Sequence, residues 1–282
     1  MLELATRLRA LRMQAGLGID AVAVELMCSA SKVSRLETGN RPASPRDVRD
    51  LCRLYDVPDT EFHELMELAR QAKETAWWQQ ESGLTKESST YIGLERNARA
   101  ILSSHNLAVT GLLQTPDYAR ALLSKVRVDG TFGSDEIERR VRVRQLRQDL
   151  LDGSGAPHIH VVLDESVLVR PVGSASIMAR QVEFLALAAK KPNVRIQVIP
   201  FSAGAHPGLD GRFVVLELAS TAVPDVVYIE GLLGELFLDR PADVARYKDI
   251  FDHLSTRVAL DDDASQAFLL ESQTLWASRI LD

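Results

Sequence analysis

Cysteine is scarce. Only Cys28 and Cys52 occur in 282 residues, with no CxxC or Cys/His spacing around them. This excludes a disulfide scaffold and the common zinc frames, and predicts two reduced thiols in helical core, as expected of a cytoplasmic protein. Long hydrophobic runs are missing too. No stretch reaches the length of a membrane span, and MLELATRLRA at the N-terminus is amphipathic without a signal-peptide core, so neither membrane insertion nor secretion is expected. Excess positive charge is absent, since the formal net charge is −6. A histone-like coater of nucleic acid is thereby excluded. Also lacking are a nucleophile elbow, a Walker sequence, a dinucleotide glycine pattern and a zinc-peptidase motif. The chain is therefore not expected to be an enzyme, and no catalytic residue, metal or cofactor is assigned.

Hydrophobic content of 46% and charged content of 26% describe a globular protein long enough for two domains. The charge is unevenly spread. Residues 1–55 hold nine basic and six acidic side chains, a mildly basic head on an acidic body. Such a distribution suits a specific nucleic-acid binder with modest phosphate contacts.

The most informative stretch is GIDAVAVELMCSASKVSRLETGNRP (18–42). It reads as two short helices around a tight corner, the second N-capped by Ser29. Val33 and Leu36 fall on one face and point to a core. Ala30, Ser31, Lys32, Ser34 and Arg35 are left on the other, all short or basic. Small side chains allow close approach to a major groove, and cations meet phosphate or guanine. Gly39 and Pro42 end the helix, which puts Asn40 and Arg41 just past it as phosphate grips.

Leu8–Arg53 resembles the five-helix, lambda-repressor-like DNA-binding domain of the Cro-like, xenobiotic-response-element family of bacterial regulators. LRALRMQAGL (8–17), SASKVSRLETGNRPASP (29–45) and VRDLCRLYDV (48–57) carry the likeness. It implies a structural pair between Arg12 of the first helix and Glu37 at the end of the recognition helix. Two positions depart from the pattern. Ile19 stands where a phosphate-touching Gln is usual, and Met27 stands at a corner that is usually Gly, so a corner slightly strained or differently shaped is expected.

Beyond this segment, Ser44-Pro45 starts a helix through Val48, Leu51 and Cys52. Another carries Phe62, Leu65, Met66 and Ala69 and extends toward Trp77-Trp78, which either pack domain against domain or stack on a ligand. The first domain is set at 1–78 and the polar linker at 79–90. The second domain, 91–282, is a mixed α/β unit with a mixed sheet and closing helices. Tyr91–Ser103 reads as helical or mixed. Ser134–Leu151 is a helix crowded with Arg139, Arg140, Arg142, Arg144 and Arg147; its Asp135, Glu136, Glu138 and Asp149 favour a solvated face over a second DNA contact. His158–Leu163, Asn193–Ile199, Arg212–Leu218, Asp225–Ile229 and Glu235–Leu238 are strand candidates. A strand–helix–strand unit followed by a meander, then helices from Pro241 and over Asp262–Ile280, completes the expectation. His158 and His160 share a strand face without a third ligand, so exposed strand histidines are expected. The loop Phe201–Gly211 offers Ser202, His206 and Asp210 on small residues. It is either a glycine-dependent turn or a mobile partner or ligand surface using His206 and Asp210.

GLLQTPDYARALL (111–123), VLDESVLVRPVG (162–173), NVRIQVIPFSAGAHPGLDGRFVVLEL (193–218), DVVYIEG (225–231) and VARYKDIFDHL (244–254) carry a second resemblance. They are similar to the C-terminal domain of the actinobacterial Scr-type, WhiJ-like, antitoxin-like regulators. That resemblance implies a repressor or autoregulator of double-stranded DNA whose C-terminal domain receives a small-molecule effector or a small protein encoded nearby. One recognition helix reads few base pairs, so a homodimer on half-sites about 34 Å apart is expected. An interaction module with secondary DNA binding and a DNA-tethered small-molecule enzyme remain as alternatives.

Overall fold

The structure is a computed structural model that describes residues 2–37, 43–74, 84–125, 133–153, 155–219, 223–231 and 234–280. The chain divides into two compact units, one over Met1–Ser89 and one built from Thr90–Ala219 and Pro224–Asp282.

The first unit is all helical: α1 Leu2–Gln14, α2 Ile19–Glu25, α3 Ala30–Glu37, α4 Pro45–Leu54 and α5 Asp59–Glu74. Leu4, Leu8 and Leu11 of α1 recur at helical spacing and meet Val22, Val33, Leu36, Val48, Leu51 and Leu65 in one buried cluster. Cys52 belongs to that core, whereas Cys28 is only partly buried and sits in the α2–α3 corner rather than in a helix. Both thiols are free, and burial pushes Cys52 up to about 11. The start of α4 is fixed by a capping box. Ser44 Oγ accepts from Asp47 N, Asp47 Oδ2 accepts from Ser44 N, and Pro45 fills the first turn. The continuation of α5 toward Trp77 and Trp78 lies outside the described residues.

The second unit is a six-stranded mixed sheet with helices. Helix α6, Lys86–Arg96, begins inside the stretch expected to be a linker. It is followed by β1 Ala98–His105, α7 Pro116–Leu123, α8 Ser134–Arg147, β2 His158–Asp164, α9 Ala175–Ala188, β3 Val194–Ile199, β4 Phe213–Leu218, β5 Val226–Glu230, β6 Glu235–Leu238, α10 Pro241–His253 and α11 Asp262–Ser278. The strand order is β3-β2-β1-β4-β5-β6. β1, β2 and β3 run parallel, and β4 returns antiparallel beside β1 to start the β4–β5–β6 meander.

The expected α/β unit and meander are both present, but β1 corrects the reading of Tyr91–Ser103. It is the strand that joins the two halves of the sheet. Its sequence, ARAILSSH, hides this because Ser103, Ser104 and His105 are buried polar residues and the apolar alternation of a half-buried strand is missing. Elsewhere the sheet reads as expected of strands covered on both faces. Val161, Val162 and Leu163 are all buried in succession, as are Phe213 through Leu216. On one face Val162, Phe213, Val215 and Val227 meet Val244 and Phe251 of α10. On β5, Tyr228 stacks on Tyr91 of α6, ring centroids 4.3 Å apart. α9 and α11 pack on one another, and the Trp276 indole donates to Leu168 O at 2.7 Å.

The arginine-rich helix α8 is not simply a solvated face. Arg147 is buried and forms a fork with Glu95 of α6, Nε to Oε2 and Nη2 to Oε1, both 2.7 Å. Tyr91 donates its hydroxyl to the same Glu95 at 3.1 Å. The helix turns this arginine inward because a bidentate carboxylate compensates the lost hydration. The strand histidines also differ from expectation. His158 is exposed, but His160 packs edge-on against Phe251 and shares a 2.7 Å hydrogen bond with Gln197 Oε1. Burial holds His160 below the usual imidazole range. No group of three potential metal ligands exists among the described residues. Among them, too, no helix is long and apolar enough to cross a membrane.

Two outcomes are expected. Truncating Arg147 to Ala strands the buried Glu95 carboxylate and should cost roughly 3–5 kcal/mol, whereas the double change Arg147→Met with Glu95→Leu should recover most of it. Urea unfolding of the single and double variants checks this; equal losses in both would show that the pair's charge is not the issue. The second outcome concerns His105, which burial, aided by Arg212, lowers to about 3. The unfolded chain takes up the proton near pH 6.5 and the folded one does not, so stability falls as pH drops from about 6.5 toward 3. Between pH 6.5 and 5 the parent should lose about 1.6 kcal/mol more than His105→Gln. Parallel stability curves would contradict a neutral buried imidazole.

Candidate nucleic-acid interface

The α2–corner–α3 segment is built by local chemistry. α2 starts after Gly18 and buries Val22 and Ala23. At the corner Met27 takes φ 48°, the left-handed conformation in which a side chain is disfavoured by about 1–2 kcal/mol. The expected strain at Met27 is therefore present. Its side chain is almost fully exposed, so nothing in the core selects methionine there. Ser29 caps α3 as expected, its hydroxyl accepting from Lys32 N at 3.1 Å.

α3 buries Val33, Leu36 and Glu37. The Glu37 carboxylate meets Arg12 of α1 in a fork, Nε to Oε1 at 2.7 Å and Nη2 to Oε2 at 3.0 Å. Arg12 Nη1 also donates to Leu17 O at 2.7 Å, so one guanidinium fastens the end of α3, the body of α1 and the loop after it. Arg12 is held above its ordinary range, first by the hydrogen bond to Glu37.

The residues expected to face nucleic acid divide into three groups. Ser29, Ser31 and Arg35 are exposed and Ser34 is partly so, with Ser31 and Arg35 on the side of α3 away from Val33 and Leu36, whereas Ala30 packs against the core. Arg35 lies back along the helix, its Nε donating to Ser31 O at 3.1 Å. Lys32 behaves differently. Its ammonium is taken by Asp47 of α4 at 2.6 Å, which spends the charge on tying α3 to α4. Asn40 and Arg41 lie outside the described residues. Arg46, in the first turn of α4, is an exposed cation that the sequence reading did not single out. The Pro45 it follows was the available signal, since a capped, proline-led helix start fixes the direction of the next side chains.

In the second unit the loop between β3 and β4 carries the other expected residues. It contains two short turns, Phe201–Ala203 and Pro207–Asp210. It is pinned rather than free: Phe201 N donates to Glu165 Oε2 at 2.7 Å, and Asn106 Nδ2 donates to Gly208 O at 3.0 Å. His206 does not meet Asp210. Its side chain is only 3% exposed and its Nε2 sits 3.5 Å from Asp164 Oδ2 at the end of β2. The imidazole lies against Gly208, where a Cβ would come within 3.0 Å of its Nδ1. His206 is thus no surface contact. Asp210 stays exposed, as do Phe201, Ser202 and Leu209, so Ser202, His206 and Asp210 form no triad.

Residues 3–65 match a family described as a helix-turn-helix domain. Residues 88–271 match the family described as domain of unknown function DUF5753. The chain belongs to the DUF5753 family. Its first unit is a helix-turn-helix domain, which makes this DUF5753 protein a DNA-binding regulator in its architecture. No curated protein and no solved structure gives a match.

The Arg12–Glu37 fork leads to a stability outcome. Glu37→Ala leaves a largely buried guanidinium without its carboxylate and should destabilise the first unit by roughly 3–5 kcal/mol. Its thermal transition should move down with DNA absent. An unchanged melting curve would show that α3 is held by its apolar side alone.

Proposed function

We propose that this chain is a sequence-specific, double-stranded-DNA-binding transcriptional regulator of repressor or autoregulator type, with α3 as its reading helix. The observation that carries this is the exposed face of α3. Ser31 and Arg35 stand on it with small neighbour Ser34, while a cap at one end and the Arg12–Glu37 fork at the other fix its orientation. A rigid helix with short side chains and one exposed arginine, held in this structure only by a hydrogen bond to Ser31 O, suits major-groove entry, and Arg pairs bidentately with guanine. Because Lys32 is committed to Asp47, base selection falls to Arg35 and Ser31, and exposed Arg46 joins Arg41 in gripping phosphate. A single such helix reads few base pairs, so the regulator acts as a homodimer. The DUF5753 unit receives the signal that adjusts binding, from a small-molecule effector or from a small protein encoded nearby, in the manner of an antitoxin-like regulator.

Selection from a random duplex pool supplies the site for the test. On the selected duplex Arg35→Ala should cost about 1–3 kcal/mol, with a smaller loss on scrambled DNA. Arg46→Ala should weaken both alike and reduce the salt slope by about one. Undiminished selectivity in Arg35→Ala would remove α3 from the groove.

A further inference from the structure

Four guanidiniums gather where β1 ends and β4 begins. Arg140, Arg144 and Arg147 come from α8 and Arg212 from the residue before β4. Three have carboxylates. Arg140 Nε bonds Glu136 at 2.7 Å, Arg147 forks onto Glu95, and Arg212 Nη2 lies 3.1 Å from Glu230. Arg144 has none among the described residues. Its Nε donates to the amide oxygen of Gln114 at 3.0 Å and its Nη1 to Arg140 O at 3.1 Å. Both acceptors are neutral, and Nη2 is left over.

Arg144 is nonetheless held in place. Gln114 is buried and fixed from its other end, its Nε2 donating to Val109 O at 2.7 Å. The backbone of Gly111 lies against both Arg144 and Arg147, and a Cβ there would come within 3.2 Å of Arg147 Nη1 and 3.6 Å of Arg144 Nε. Burial, then the charge of Arg147, pushes Arg144 down to about 10, which still leaves it protonated at neutral pH. Beside Arg212, His105 closes β1 as a buried imidazole whose Nε2 has no partner. A cation placed among cations, with only neutral hydrogen bonds and its nearest carboxylate, Glu230, already paired with Arg212, is destabilising unless an anion completes it. The carboxyl end of a parallel strand at the point where the chain changes direction across the sheet is also where open α/β sheets receive ligands.

We propose that Arg144, with Arg212 and His105 beside it, is a binding site for a small oxyanion, the carboxylate or phosphate group of a small molecule. The missing negative charge is what the site selects. Arg144 Nη2 supplies the charge-assisted hydrogen bond, and because Glu136, Glu95 and Glu230 offset the other three guanidiniums, the charge left over in the cluster is that of Arg144. This goes deeper than the regulatory reading by giving the chemistry of the signal, and it rests on that reading only for its biological meaning, because anion binding is measured without DNA.

Isothermal titration calorimetry of the full chain tests it, with inorganic phosphate and succinate as probes and chloride at matched ionic strength as the control. The parent chain should give saturable one-to-one binding of at least one probe. Arg144→Gln should weaken it by about tenfold or more. The same variant in chloride should melt no lower than the parent, because it removes an uncompensated charge rather than a structural pair. No binding beyond the chloride control, equal binding by Arg144→Gln, or an unfolded Arg144→Gln in far-UV circular dichroism would each overturn the assignment. Phosphate binding without succinate binding identifies a phosphoryl ligand, and the reverse a carboxylate. Duplex binding by both chains, measured separately, tests the DNA reading without touching this result.

Discussion

Arg12 is the point on which the helix-turn-helix unit turns. A guanidinium can serve three acceptors in one plane, and here those acceptors are both oxygens of Glu37 and the carbonyl of Leu17. The fork ties the end of α3 to α1, so α3 cannot rotate about its own axis without stranding a largely buried charge. Its exposed face is thereby fixed by an interaction on its opposite side. The same device appears in the second unit, where Arg147 and Glu95 lock α8 to α6 beside the tyrosine stack on β5. In both places the specificity of geometry comes from planar, two-pronged pairing rather than from the charge alone.

Charge is allocated with similar economy elsewhere. Lys32 lies on the helix that faces DNA in the proposed function, yet its ammonium serves α4. Arg144 lies on a helix whose neighbours are matched to carboxylates, yet it has no such match. The two residues show that the sign and position of a cation in the chain say little about its use. What decides is whether a carboxylate lies within about 4 Å, because at that distance pairing outweighs most other effects on a partly buried charge.

Much was determined by the sequence alone. Periodicity of Leu4, Leu8 and Leu11, the caps at Ser29 and Ser44, and the β-branched apolar runs of β2, β3, β4 and β5 are local signals, and local backbone preferences suffice to mark those elements. The strain at the Met27 corner was also expected, but from the resemblance to a family that usually has glycine there rather than from spacing. The partnership of Arg12 with Glu37 came from family likeness, not from spacing.

Tertiary structure alone decided the rest. β1 could not be read because three of its five buried residues are Ser103, Ser104 and His105, which are tolerated inside only once β2 and β4 surround the backbone on both sides. His206 was expected beside Asp210 as a polar contact on the loop's surface and instead turns inward to Asp164, because β2 and β3 end side by side and bring positions 42 residues apart into reach. The fate of each arginine on α8 depended on which carboxylate the fold carried to it. Sequence fixes side-chain identity and local direction, but burial and counter-charge are properties of what surrounds a residue, and those surroundings come from segments far away in the chain.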